Sequence, residues 1–152
     1  MKDTHDADFV RDYAVSVDRL WKAVTRSEEL IQWFGPEGLR IECCEMDFTR
    51  TGPWVCEMRG LESGKLFKVS GVVTRIDLPK HGAKGVVGFT WAWHDETDKR
   101  GMESHVSFTV EATATGARLT LSHRDLPDLE TAQSHSRGWL ATLPKLDRYL
   151  GT

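Results

Sequence analysis

The side chains of this chain that could do chemistry are six tryptophans, six histidines and three cysteines spread over 152 residues. An indole buries a large apolar area and carries one N–H that wants an acceptor, whereas an imidazole changes charge near neutral pH. Trp54, Trp91 and Trp93 alternate with polar or small residues, which puts them on the apolar faces of strands, and Trp139 sits in a helical stripe. Each of the four reads either as core packing or as the wall of an aromatic pocket. His123 follows Leu119 and Leu121 in register. It is either a polar group aimed inward at a ligand or a strand-end residue near solvent. His135 lies four residues before Trp139 and so shares its side of a helix, as a boundary residue. His94 and His105 fall opposite the apolar sets and read as exposed.

No histidine pair has the spacing of a metal-binding helix, and no metal or cofactor is expected. Cys43, Cys44 and Cys56 form an odd set. Neighbours on a strand point to opposite faces, so Cys43 and Cys44 do not suit one metal, and reduced thiols are the simple reading. Glu42 with Glu45 carries no further sign of acid–base chemistry. Glu57 with Arg59 reads as a solvated salt bridge. There is no G-x-S-x-G elbow, no glycine-rich phosphate loop and no paired nucleophile and base, and Gly82-Ala83-Lys84-Gly85 reads as a hairpin turn. No catalytic residue is assigned from these patterns.

The elements that must position these side chains can be read from periodicity. A first strand covers residues 9–15, followed by a helix over 18–25 that Ser16 or Asp18 can cap. A second short helix starts at Ser27, with Glu28 and Glu29 at its positive end, and Gly35-Pro36 breaks it after Trp33-Phe34. Strands follow over 39–48, 53–59 and 66–76. Val87, Phe89, Trp91 and Trp93 then alternate with period two. Val106, Phe108 and Val110 form the next apolar face, and Leu119 with Leu121 the last. The short connections favour antiparallel neighbours. Finally Leu129, Ala132, Ser136, Trp139, Leu143, Leu146 and Leu150 recur at steps of three and four, the stripe of one long helix. Pro144 lies inside that stripe and removes an amide donor, so a kink is expected near residues 140–144.

At this length a single domain is expected, over residues 1–152 with residues 1–8 as a disordered tail. The net charge is −3, with 20 basic and 23 acidic residues dispersed along the chain. That leaves no basic stripe for nucleic acid. The N-terminus lacks the apolar core of a signal peptide, and no apolar run approaches a membrane span, so a cytoplasmic protein is expected.

Val17-Asp18-Arg19-Leu20-Trp21-Lys22-Ala23-Val24-Thr25, followed by Glu29-Leu30-Ile31-Gln32-Trp33-Phe34-Gly35-Pro36, resembles the opening signature of the family homologous to the activator of the heat-shock-protein-90 ATPase. Phe89-Thr90-Trp91-Ala92-Trp93 is similar to its central strand, and Leu119-Thr120-Leu121-Ser122-His123 to its last. Gly138-Trp139-Leu140 with Leu143, Leu146, Tyr149 and Leu150 resembles its closing helix. The pair before Trp54 reads Gly52-Pro53 where the family usually has two glycines.

The resemblance covers roughly residues 9–150. It implies an α+β helix-grip fold of the START, birch-pollen-allergen (SRPBCC) superfamily: a seven-stranded curved antiparallel sheet around the C-terminal helix, two short helices after strand 1, and a cavity between sheet and helix. In such a cavity the sheet would supply Trp54, Met58, Phe89, Trp91, Phe108 and Leu121. The closing helix would supply Trp139 and Leu143, and His123 a polar group. Trp33 and Phe34 would stand at the mouth as a gate, or plug the short helices onto the sheet. The resulting expectation is non-catalytic binding of a small hydrophobic molecule (lipid, acyl or aromatic). An enzyme of the cyclase or hydrolase kind and a chaperone-cofactor or stress-response role are the alternatives. The activator itself has an extra N-terminal domain that these residues do not provide, so direct chaperone stimulation is not expected. A homodimer is left open.

Overall fold

Seven segments of alternating apolar and polar residues pair, each antiparallel to its neighbour, into one curved sheet in the order β1-β7-β6-β5-β4-β3-β2. The computed structural model describes residues 5–35, 37–80 and 82–151. The strands are β1 His5–Tyr13, β2 Leu39–Glu45, β3 Gly52–Gly60, β4 Leu66–Asp77, β5 Gly85–Trp93, β6 Ser104–Ala112 and β7 Ala117–Leu126. The helices are α1 Val17–Thr25, α2 Ser27–Trp33 and α3 Leu129–Leu150. β2 to β7 follow one another as neighbours, as short hairpin connections require. β1 instead joins the far side of β7. α1 and α2 therefore carry the chain from one edge of the sheet to the other. Among the described residues no helix is long and apolar enough to cross a membrane.

The core lies between the inward face of the sheet and the three helices. Leu20, Trp21, Ala23 and Val24 form the buried side of α1, and the Ser16 hydroxyl caps it by accepting from the Arg19 amide at 3.0 Å. Trp33 ties α2 to α1 by donating its indole N–H to the Ala23 carbonyl at 2.8 Å. Gly35 ends this region at φ +86°, and a Cβ there would stand 2.7 Å from the Met58 sulfur. Only glycine meets both demands, and the tight turn lays Phe34 over the sheet. Pro36, expected to share in the break, lies outside the described residues.

α3 is capped at its start by Asp128, which accepts from the Thr131 amide at 2.7 Å, and at its end by Gly151 in the left-handed region. Its stripe buries Ala132, Trp139, Leu143 and Leu146. Leu129, the first member of the stripe, is 58% exposed, so the buried face begins at Ala132. The helix continues through Pro144.

Two boundaries and one ion pair stand out against the sequence reading. Residues 1–4 lie outside the described residues, but residues 5–8, expected in a tail, are paired in β1. Asp8 accepts from the Ser122 hydroxyl at 2.7 Å, and both Asp6 and Asp8 pair with Arg124 at 3.0 Å. These polar cross-strand partners replace the apolar pattern that would have marked a strand. β2 ends at Glu45 instead of 48, and Phe48 folds inward with its amide donating to the Thr25 carbonyl at 2.9 Å. Arg59 pairs with Glu42 at 2.7 Å, not with Glu57: the β2–β3 register sets Glu42 within its reach.

A cleft between the closing helix and the open end of the sheet

Where α3 leaves the sheet, a cleft of about 1130 Å³ opens between them. Its apolar lining includes Phe34, Met58, Trp91 and Trp139, with Trp93 and Phe67 beside them. The three central rings pack at tilted or edge-on angles: Trp91 to Trp139 at 5.4 Å, Phe34 to Trp91 at 5.9 Å and Phe34 to Trp139 at 6.2 Å between centroids. Aromatic pairs favour such angles over a flat sandwich, and the outcome is a rigid apolar floor. The mouth is charged, with Glu37, Asp95, Glu96 and Asp98 against Lys65 and Lys68.

Each floor residue is held from behind. Phe34 caps the C-terminus of α2, and the Lys145 ammonium on α3 donates to the Gly35 carbonyl at 3.0 Å and the Phe34 carbonyl at 3.5 Å. This cation at the negative end of a helix draws α2 and α3 together, and burial lowers the Lys145 pKa. Trp139 donates its indole N–H to His123 Nδ1 at 3.0 Å. That bond assigns the histidine proton to Nε2, which lies 2.7 Å from Ser104 Oγ. The Ser104 hydroxyl donates onward to the Trp91 carbonyl at 3.4 Å. Both nitrogens of His123 are thus engaged, and burial pushes its pKa down to about 3. His135 is arranged the other way round. Its Nε2 accepts from the Trp93 indole at 3.0 Å, and its Nδ1 donates to the Thr131 carbonyl at 2.9 Å. Burial lowers its pKa too.

Of the eleven residues expected to line a cavity, four reach the cleft: Phe34, Met58, Trp91 and Trp139. Trp33, Trp54 and Phe89 lie in the core behind them. So do Phe108, Leu121 and Leu143, and His123 is completely buried instead of bordering solvent. Trp33 is a plug, whereas Phe34 belongs to the cleft wall. The alternation of a strand gives the face of a residue but not its distance from the open end, and the core closes over the middle of the sheet.

Other lining residues carry no apolar signal. Ser134, Gly138 and Thr142 recur every four residues and form the cleft-facing side of α3, next to the apolar stripe. That spacing of small residues was readable and marks where the helix leaves room. His94, expected to be exposed, also borders the cleft, held by Ser70 Oγ at 2.6 Å and Asp98 Oδ1 at 2.8 Å. A second, smaller space of about 230 Å³ adjoins the first. Trp91, Trp93 and His135 line both.

The cysteines stand apart, on β2 and β3. Cys43 is exposed, while half-buried Cys44 lies directly across from buried Cys56. Their contact pushes the Cys56 thiol up, with burial adding to it, and draws the Cys44 thiol down.

The family model for the activator of Hsp90 ATPase homolog 1-like protein matches residues 14–151. Among solved structures, the AHSA1 protein of Silicibacter pomeroyi is similar at 44% identity and a TM-score of 0.88, over 96% of this chain and 97% of that one. A protein of Chromobacterium violaceum is similar at 18% identity and a TM-score of 0.81, over 97% and 98% of the two chains. One from Nitrosomonas europaea has 22% identity and a TM-score of 0.72, over 95% and 93%. At such identities the last two speak for the fold alone. A comparison with curated proteins finds no match.

Proposed function

Because this chain belongs to the family of activator of Hsp90 ATPase homolog 1-like proteins, within the SRPBCC helix-grip superfamily, we propose that it binds a small hydrophobic molecule in the cleft beneath α3. The observation that carries this reading is the cleft itself: about 1130 Å³, floored by Phe34, Trp91 and Trp139. Ligand sites are typically concave, mostly apolar spaces of about 300–1,000 Å³ with a few placed polar groups. Removing apolar ligand surface from water supplies roughly 25 cal/mol per Å², offset by the entropy of association.

A hydrolytic reading draws on one cluster. Ser70, His94 and Asp98 stand at 2.6 and 2.8 Å in the order of nucleophile, base and orienting acid. Yet Arg100 Nε donates to the same Ser70 oxygen at 3.0 Å, and Asp98 sits exposed on a hairpin and also pairs with Lys68 at 3.1 Å. Ser70 is not among the cleft residues. These bonds fasten the hairpin to β4, and we therefore favour binding over catalysis. Hydrolysis of p-nitrophenyl acetate that disappears in Ser70→Ala would reverse that preference.

The direct test is native mass spectrometry of the purified protein, followed by titration of tryptophan fluorescence with lipids, acyl compounds and aromatic compounds. Saturable binding by one of these classes, weakened by Trp139→Ala, is the expected result. Failure of every class to bind removes the reading.

A further inference from the structure

Three buried tryptophans and the half-buried Trp93 have acceptors for their indole N–H groups. Trp33 donates to the Ala23 carbonyl, Trp54 to the Thr90 carbonyl, Trp93 to His135 and Trp139 to His123. Trp91 does not. It is 5% exposed, and among the described residues its Nε1 is the buried side-chain polar atom without a partner. The nearby ring nitrogens that could accept are already committed, His123 Nδ1 to Trp139 and His135 Nε2 to Trp93. Turning either of these nitrogens to Trp91 would orphan another indole donor. A buried donor left unmade costs about 1–3 kcal/mol, so a native core seldom keeps one without a use.

The position of Trp91 supplies that use. Its ring borders the large cleft and the smaller space beside it, and stands within 5.4–5.6 Å of Trp139, Trp54, Trp93 and His123. We infer that Trp91 Nε1–H is the hydrogen-bond donor that orients the cleft's ligand, and that this ligand is an uncharged, flat aromatic molecule bearing a carbonyl or similar acceptor. The inference rests on the binding reading above and narrows it.

Flatness follows from the walls, which are indole and phenyl rings. Absence of charge follows from the surroundings. Burial holds both His123 and His135 in their neutral forms. Among the described residues no arginine lines the cleft, and its two lysines are at the mouth among carboxylates. A carboxylate carried to the floor would have no counter-ion there, which is strongly unfavourable. Nε1 is closed to solvent, so a small rotation of Trp91, or of the Trp93–His135 pair that separates the two spaces, accompanies binding.

The test uses three probes of one shape: 2-acetylnaphthalene, its hydrocarbon analogue 2-isopropenylnaphthalene and the anion 2-naphthoate. Affinities are measured by calorimetry, and the indole N–H resonances of the ¹⁵N-labelled protein are followed, that of Trp91 being assigned by Trp91→Phe. The expected result is that the ketone binds about tenfold more tightly than the hydrocarbon, the margin of one buried hydrogen bond. The Trp91 resonance moves downfield, 2-naphthoate binds more weakly than the ketone, and Trp91→Phe loses the preference for the ketone. Equal affinity for ketone and hydrocarbon with an unmoved Trp91 resonance overturns the anchoring role and leaves the binding reading intact. Tighter binding of 2-naphthoate than of the ketone overturns the uncharged class. If no probe binds, this inference falls, and the wider reading is judged by its own lipid and acyl titrations. Should Trp91→Phe fail to fold, the wild-type affinities and resonance shifts decide alone.

Discussion

His123 shows how one residue can serve structure where sequence patterning allowed either structure or function. Neutral, it receives the Trp139 N–H and lies against Ser104, so it fixes the ring that floors the cleft. Its folded pKa of about 3 lies far below the ordinary value of 6.5. Above about pH 6.5 folded and unfolded chains are both neutral at this site, and it contributes no pH dependence. As pH falls below that, the unfolded chain takes up a proton that the folded chain refuses. Stability should therefore drop by about 1.4 kcal/mol per pH unit between roughly pH 6 and pH 4 from this group. His135, also lowered by burial, acts in the same direction. Urea unfolding between pH 7 and pH 4 checks the claim. His123→Gln should be about 1–3 kcal/mol less stable at pH 7, because it disturbs two buried bonds, and should show a slope shallower by about one proton. Identical slopes in the two proteins would mean that His123 is protonated inside the fold.

At the scale of elements, two glycines have opposite roles. Gly138 lies on the cleft side of α3, and a Cβ built there meets nothing within 4 Å. Glycine in a helix costs about 1 kcal/mol relative to alanine, so Gly138→Ala should raise stability by up to that amount. Gly138→Leu should fold equally well while its side chain intrudes into the cleft, and binding of the uncharged dye Nile red should fall about tenfold or more. Unchanged dye binding would place the hydrophobic site elsewhere. Gly71 allows no such change: a Cβ there would stand 1.9 Å from the Thr90 carbonyl oxygen and 2.7 Å from Trp54 Nε1. β4 must be bare at that point for the Trp54 N–H to reach Thr90 at 3.1 Å. Gly71→Ala should cost about 3 kcal/mol or more in thermal or chemical unfolding, since backbone has to move. The elements themselves were legible in the sequence. The period of two in Val87, Phe89 and Trp91 and the long stripe of α3 reappear as buried faces. The cleft was only partly legible. Phe89 and Trp91 share a face, yet only Trp91 reaches the opening, because depth along a strand depends on where α3 departs. The residues that create the opening, Ser134, Gly138 and Thr142, are defined by what they do not fill.

At the scale of the molecule, α3 is fastened unevenly. Its C-terminal half is tied at several points. Tyr13 donates to Asp147 at 2.8 Å, Tyr149 to Glu29 at 2.9 Å, Lys145 to the Phe34 and Gly35 carbonyls just after α2, and Arg148 pairs with Glu37. Its N-terminal half has fewer ties. Leu129, Glu130, Gln133, Ser134 and Arg137 are exposed, and Ala132 and the His135–Trp93 bond are its main anchors. That half also borders the smaller space, through Thr131 and His135. Local opening follows local packing, so the segment with few buried contacts opens at lower free energy than the rest of its helix. Amides of residues 129–138 should thus exchange with deuterium well ahead of residues 139–150, as resolved by mass spectrometry of peptides. If the cleft is entered from this side, 2-acetylnaphthalene should slow exchange in the first segment and leave the second nearly unchanged. Uniform exchange along α3 would mean that the helix opens as one unit, and a ligand would then have to enter at the charged mouth between Lys65 and Asp98.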